Sequence, residues 1–150
     1  LWALSLQGAK PRLWQMSITG RLPRRSKAFE KRFGERMILV KKEMISKERV
    51  DAWFLEWERL REEIHAAHEL RDGSALAVML EGITHFEQLL IDSAETEQAF
   101  STAAEYELMP INGMERLGFI KMRPAQYACY RQLDELYKET KKRCARLRLK

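Results

Sequence analysis

The sequence predicts an all-α protein: a small bundle of about four to five helices around a central antiparallel hairpin, preceded by an extended N-terminal arm. Three observations lead to this fold class. The chain has 150 residues, a length that fits one domain with a sizeable core. Charged residues make up 33% of it while prolines number 4 and glycines 7, which favours amphipathic helices over turn-rich β structure. Apolar residues also recur every three or four positions along most of the chain.

The first predicted helix covers about residues 27–45. Ser26 can cap it, because a serine hydroxyl accepts a hydrogen bond from a backbone N–H that is unpaired in the first turn. An apolar stripe with spacings of three and four residues follows, formed by Phe29, Phe33, Met37, Val40 and Met44.

The second predicted helix begins after Ser46 and ends at the turn Asp72-Gly73. Its stripe is the strongest in the chain: Val50, Trp53, Phe54, Trp57, Leu60, Ile64 and Ala67. Because the aromatic residues continue this stripe, we expect them in the core rather than in a ligand pocket. A third helix opens at Ser74, and the short connection makes the two helices antiparallel neighbours.

A fourth helix is predicted over about 94–108, because Asp92 and Glu95 resemble a capping box. It either starts there or continues the third helix. Pro110 then ends the helical run.

Residues 110–123 are predicted to form a loop with one short helical turn, because Asn112-Gly113 and Gly118 are typical of turns. The apolar residues of this loop should be buried under the domain or against a neighbouring chain: Leu117, Phe119, Ile120 and Met122. A last helix should begin near Pro124 and run to about residue 147. It would hold Cys129 and Cys144 about 22 Å apart, too far for a disulfide within one chain.

Charge divides the chain into three blocks. Residues 1–49 carry a net charge of +9, residues 50–115 of −12 and residues 116–150 of +8. The basic ends either fold back onto the acidic middle or bind an acidic protein surface, RNA phosphates or anionic lipid head groups.

The arm comprises residues 1–28, and the helical domain residues 29–150. The arm is rich in arginine and free of acidic residues, which is typical of an organelle transit peptide. Its apolar residues are too few for a core of their own, so we expect the arm to lie on a surface. That surface belongs either to other subunits or to its own domain.

Side chains suited to catalysis do not form a recognisable set. Glu62, His65, His68 and Glu69 are the most ligand-like group, yet a di-iron bundle needs a second Glu-x-x-His, which the sequence lacks. No glycine-rich phosphate loop is present. We therefore predict no enzymatic activity, no metal and no cofactor. No apolar stretch reaches the roughly 18 to 20 residues that a membrane-spanning helix needs.

These observations predict a non-catalytic structural or accessory subunit of a large mitochondrial assembly, such as a respiratory-chain or ATP-synthase complex. It would lie in the matrix or on the matrix side of the inner membrane, dock through its arm and contact other protein subunits of a hetero-oligomeric complex. The alternative is a mitochondrial ribosomal or other RNA-binding protein that grips phosphate with its basic ends. The residues predicted to contact partners are Trp2, Arg12, Trp14, Arg21, Arg24, Arg25, Phe119, Arg143, Arg146 and Arg148.

Overall fold

A computed structural model of the chain describes residues 37–150. In chain order, this part contains β1 (Met37–Ile38), a 3-10 helix (Lys42–Ile45), α1 (Lys47–Leu70), α2 (Ala75–Ser93), β2 (Glu105–Tyr106), α3 (Gly113–Met122) and α4 (Tyr127–Arg148). The predicted all-α class is confirmed, since the only sheet among these residues is a two-stranded parallel pair. The predicted arm lies outside the described residues.

The central antiparallel hairpin is formed by α1 and α2, as predicted. The Ser46 hydroxyl accepts a hydrogen bond from the amide of Arg49 (3.3 Å) and so caps α1. At the other end, Arg71 adopts a left-handed conformation (φ 53°) and turns the chain into α2. The two helices run in opposite directions, because Trp53 faces His85, whereas Trp57, one turn later in α1, faces Gly82, about one turn earlier in α2.

Helix α4 packs against the hairpin and completes the core. Its central Tyr137 stacks on Trp57 of α1, with ring centroids 4.0 Å apart, while Tyr130 near its start lies beside His68 at the end of α1. The helix therefore runs antiparallel to α1. Several large side chains are completely buried where the three helices meet: Trp57, Ile64, Phe86, Leu133 and Tyr137. Each contributes about 1.5 to 3 kcal/mol from removal of apolar surface from water.

The predicted helix over about 27–45 is wrong in its described part, where β1 and the 3-10 helix stand instead. Before the 3-10 helix, the backbone of this segment bonds to distant parts of the chain. The amide of Lys41 donates to the carbonyl of Ser93 (2.7 Å), and the amide of Glu107 donates to the carbonyl of Ile38 (2.9 Å). The consecutive apolar residues Met37 to Val40 fit a short strand better than one face of a helix, and the two residues of β1 are half-buried.

The predicted helix over about 94–108 is also wrong, because that segment is irregular apart from β2. Hydroxyl groups of nearby residues accept hydrogen bonds from backbone amides of this segment. Thr96 Oγ1 accepts from the amide of Gln98 (3.2 Å), and Ser101 Oγ accepts from the amide of Ala103 (3.2 Å). Such side-chain bonds compete with the hydrogen bonds of a helix.

The loop predicted over 110–123 is in fact largely helix α3. Gly118 in the middle of this helix costs about 1 kcal/mol relative to alanine. Burial of Leu117 and Ile120, which are 1% and 0% exposed, contributes about 1.5 to 3 kcal/mol each and outweighs that cost. Gly113 also has a packing reason, since a Cβ atom there would collide with the side chain of Met109.

Helix α4 agrees with the prediction for the last helix. It starts three residues after Pro124 and ends at Arg148. Both cysteines on it, Cys129 and Cys144, are buried and free. Both cysteines therefore lie on one helix, 15 residues apart, as the prediction assumed.

Candidate interaction surface

The buried carboxylate of Asp134 is the most chemically distinctive group in the core, and its hydrogen-bonding capacity is occupied. It accepts hydrogen bonds from the Trp57 indole (3.0 Å), from the Arg61 guanidinium (3.1 Å) and from the Lys138 ammonium (2.9 Å). Burial acts to raise the pKa of Asp134, but these hydrogen bonds outweigh it and hold the pKa below its usual value. Asp134 is therefore an ionised structural group that joins α1 to α4.

Tyr137 is the second polar group inside the core. Its hydroxyl donates to the backbone carbonyl of Gly82 on α2, and its ring lies almost parallel to that of Trp57 (5° between the planes). Burial raises the pKa of Tyr137 well above its ordinary value. A neutral phenol in this position packs three helices together, and it cannot reach a substrate in solvent.

The three histidines serve separate local contacts. His65 lies 3.2 Å from the Glu69 carboxylate on the exposed side of α1, while His68 packs edge-on against the Tyr127 ring (centroids 5.3 Å apart). His85 bonds to the backbone of Trp53. Among residues 37–150, no cluster of three or more metal-ligating side chains could hold an ion.

A depression of about 380 Å³ opens where β2 and the start of α3 meet. Its wall combines apolar side chains with Glu105, Glu115 and Arg143. The Arg143 guanidinium is already engaged there, since its Nε–H donates to the carbonyl of Glu107 (2.6 Å). Glu105 and Glu115 form no ion pair with another residue of the described part, so the charged groups left unpaired in the depression are two exposed carboxylates.

The outer side of α3 is one of several places in the described part where large apolar side chains are exposed. Leu117 and Ile120 point into the core, so residues on the opposite side of the helix face solvent. Phe119 is 53% exposed and Met122 is 78% exposed. Together with the exposed residues Glu115, Gly118 and Arg123 they form what we call the α3 outer face.

Gly118 lies in the middle of the α3 outer face. Apart from its chain neighbours and the backbone of its own helix, no heavy atom lies within 4 Å of the place where its Cβ atom would be. The glycine therefore answers no packing demand inside the domain, although it weakens the helix by about 1 kcal/mol relative to alanine. Its bare backbone leaves a shallow notch beside the exposed ring of Phe119.

The predicted partner contacts at the end of α4 fall into two kinds. Arg148 donates to the carbonyl of Ile45 (2.9 Å), and Arg143 donates to that of Glu107, so both arginines secure their own domain. Arg146 is exposed and has no ion pair among residues 37–150. Only Arg146 and Phe119 of the predicted contact residues thus face outward without an internal bond in the described part. The remaining ones lie outside the described residues: Trp2, Arg12, Trp14, Arg21, Arg24 and Arg25.

Sequence reasoning missed Gly118 and Glu115 because it treated residues 110–123 as a loop. A helical period was present, with Leu117 and Ile120 on one side and Phe119 and Met122 on the other. Asp134 was also missed. An acidic residue next to Leu133 within an apolar stripe was the available signal for a buried, paired carboxylate.

Comparison with known proteins places the chain beside one family. The family model described as "YpoC-like protein" matches residues 47–150. A stretch of 37 residues is 54% identical to the "Uncharacterized protein YpoC" of Bacillus subtilis (strain 168), covering 25% of this chain and 23% of that relative. No solved structure matches the chain.

Proposed function

We propose that this chain, which belongs to the YpoC-like protein family, is a non-catalytic subunit that works by binding other protein chains. One observation carries the proposal: α3 turns an aromatic and a thioether side chain outward, on a helix whose other side is anchored in the core. Exposed apolar residues clustered on one element are typical of protein contact sites.

The internal bonds of the polar groups support a binding function over a catalytic one. A general acid or base must reach a substrate, and its pKa is usually tuned toward neutrality. Asp134 has a lowered pKa and three donors, whereas the Tyr137 hydroxyl is buried against a backbone carbonyl. Both groups stabilise the helical core.

RNA binding is the second candidate, and it is favoured by one observation. Lys142 and Arg146 lie four residues apart on the exposed side of α4, and neither forms an ion pair within residues 37–150. Against it, exposed carboxylates such as Glu62 and Glu81 on the hairpin would repel phosphate. Protein partners therefore come first in the proposal.

The relative is a bacterial protein, which offers no support for the mitochondrial location predicted from the arm. That location is not part of the proposal. The proposed binding function depends on the α3 outer face and is independent of the compartment.

Photo-crosslinking tests the proposal. A photoreactive phenylalanine analogue replaces Phe119 in the full-length chain, which is then irradiated in cells that naturally make it. We expect discrete protein adducts, because the side chain would lie in an interface. The same analogue at Glu62, on the exposed side of α1, is the matched control. Equal or absent adducts at the two positions would contradict the proposal, and adducts to RNA alone would favour the second candidate.

A further inference from the structure

The charges of the α3 outer face are arranged symmetrically about its centre. Glu115 lies four residues before Phe119, and Arg123 lies four residues after it. Residues four apart lie on the same side of a helix, so Glu115 and Phe119 share one side of α3, and the exposed Arg123 follows directly after the helix end. The face is therefore acidic at one end, apolar in the middle and basic at the other end.

These two flanking charges differ from their neighbours in having no partner of their own. Arg116 forms an ion pair with Glu139, and Lys121 forms one with Glu87. Glu115 and Arg123 are exposed and form no ion pair with any other residue of the described part. Glu115 in α3 and Arg123 just after it therefore remain available for another molecule.

A second copy of the same helix, lying antiparallel, complements this pattern. A two-fold axis beside Gly118 and Phe119 would bring Glu115 of each copy next to Arg123 of the other, and one contact would form at each end. The same axis would bring the two Phe119 rings together, beside the bare backbone of Gly118 in each copy. A glycine without nearby atoms permits that close approach.

We propose that the α3 outer face binds a second copy of this chain in an antiparallel α3–α3 contact with two-fold symmetry. This inference rests on the proposed binding function and specifies the partner. Charge complementarity with itself favours this occupant, because a second copy supplies both the base for Glu115 and the acid for Arg123. The placement of Gly118 beside Phe119 is the steric counterpart of that charge pattern.

The contact is small, so the dimer should be weak. Ten residues of helix span about 15 Å, whereas stable dimers bury at least about 1,000 Å² in total. Exposed apolar residues just beyond each end, Ile111 and Tyr127, would add to the contact. We expect reversible association with a dissociation constant of roughly micromolar size.

Sedimentation equilibrium of the purified full-length chain across the micromolar range tests the inference. We expect a monomer–dimer equilibrium in the unaltered chain. Glu115→Arg or Arg123→Glu alone should weaken association by about tenfold or more, because two-fold symmetry places like charges together twice. Combining both substitutions restores opposite charges at each end, so association should return to within about threefold of that of the unaltered chain.

Helix stability provides the internal control for the charge exchange. The double variant puts a base at the start of α3 and an acid at its end, which opposes the helix dipole. It should therefore melt at the lowest temperature of the series and yet associate better than either single variant. If misfolding alone caused the loss of association, the double variant would associate more weakly than either single variant.

Gly118→Gln distinguishes steric blocking of the α3–α3 contact from a loss of helix stability. Glutamine is a better helix former than glycine, so the melting temperature should rise while association falls by about tenfold. A monomeric unaltered chain throughout the micromolar range would overturn the inference, as would a dimer that is indifferent to the charge variants. If the chain is monomeric but Phe119 still cross-links to another protein in cells, the proposed function stands and only the choice of partner is wrong.

Discussion

Trp53 and His85 exchange hydrogen bonds across the helical hairpin. The Trp53 indole N–H donates to the backbone carbonyl of His85 (3.1 Å), and His85 Nε2–H donates to the backbone carbonyl of Trp53 (2.9 Å). Since a carbonyl can only accept, the histidine must carry a hydrogen on Nε2. The pair fixes the register of α1 against α2 at this level of the bundle.

Replacing His85 with phenylalanine should lower the free energy of unfolding by about 1 kcal/mol. The ring would still stack on Trp53, but the donor to the Trp53 carbonyl would be lost. Urea unfolding followed by circular dichroism measures the change. His65→Phe, at an exposed position of α1, is the control and should change it by less than about 0.5 kcal/mol. Equal unfolding midpoints for the two variants would contradict this account.

Asp134→Asn should destabilise the domain at pH 7 by about 2 kcal/mol, because it leaves Arg61 and Lys138 beside a neutral amide. The pKa of Asp134 is lowered in the folded state, so its contribution is complete above the unfolded pKa of about 3.9. That contribution is lost as the pH falls through the folded value. The difference between variant and unaltered chain should thus shrink below about pH 4.

Urea titrations at several pH values measure this dependence on Asp134. Asp51→Asn is the matched control, since Asp51 pairs with Lys47 on the exposed surface of α1. We expect little effect of that control at pH 7. A difference between Asp134→Asn and the unaltered chain that stays constant down to pH 2 would refute the role of the carboxylate charge.

Alanine at two helical glycines should act in opposite directions. At Gly118 nothing lies within 4 Å of the new Cβ atom, so alanine should raise the free energy of unfolding by about 0.5 to 1 kcal/mol. At Gly82 the Cβ atom would lie 3.0 Å from Trp57 Cζ3 and 3.4 Å from Leu133 Cδ2. Overpacking there costs about 1 to 3 kcal/mol and outweighs the gain in helix propensity. Denaturant unfolding of dilute protein compares the two, and changes of the same sign would contradict the packing argument.

The thiols of Cys129 and Cys144 should resist alkylation in the native protein. Both are completely buried, and burial raises the pKa of Cys129 and brings that of Cys144 to about 11. The reactive thiolate is therefore scarce at pH 8. Reaction with a chromogenic disulfide should detect both thiols in denaturant and almost none without it. Rapid reaction of either thiol in the native state would show that α4 opens locally.

The hairpin could be predicted from the sequence because its signals are local. Ser46 lies next to the helix it caps, and the stripe from Val50 to Ala67 repeats within a single element. The segment around β1 could not be predicted in this way. Its hydrogen bonds go to Ser93 and Glu107, and no local pattern encodes partners so far along the chain.

The candidate interaction surface could be predicted only in part. Phe119 was identified as a contact residue from its apolar character, but two glycines concealed the helix that determines which way it points. The symmetry of Glu115 and Arg123 about Phe119 has meaning only once α3 is known to be helical. Arg143 and Arg148 were predicted to contact partners, but they donate to backbone carbonyls of their own domain. The sequence does not distinguish these two uses of an arginine at a basic helix end.

The hydrogen bonds between residues 37–41 and residues 93–107 bear on the order of folding. The amide of Val40 donates to the Glu107 carboxylate, 67 positions away. This hydrogen bond lies beside the β1–β2 strand pair. Closing so long a loop costs more chain entropy than forming the hairpin, whose helices are joined by a short turn. The β1–β2 pair should therefore form after α1 and α2 have packed together. The amide hydrogens of β1 and β2 should exchange with solvent before those of the hairpin. β1 is thus expected to dock late in folding, onto a helical bundle that has already formed.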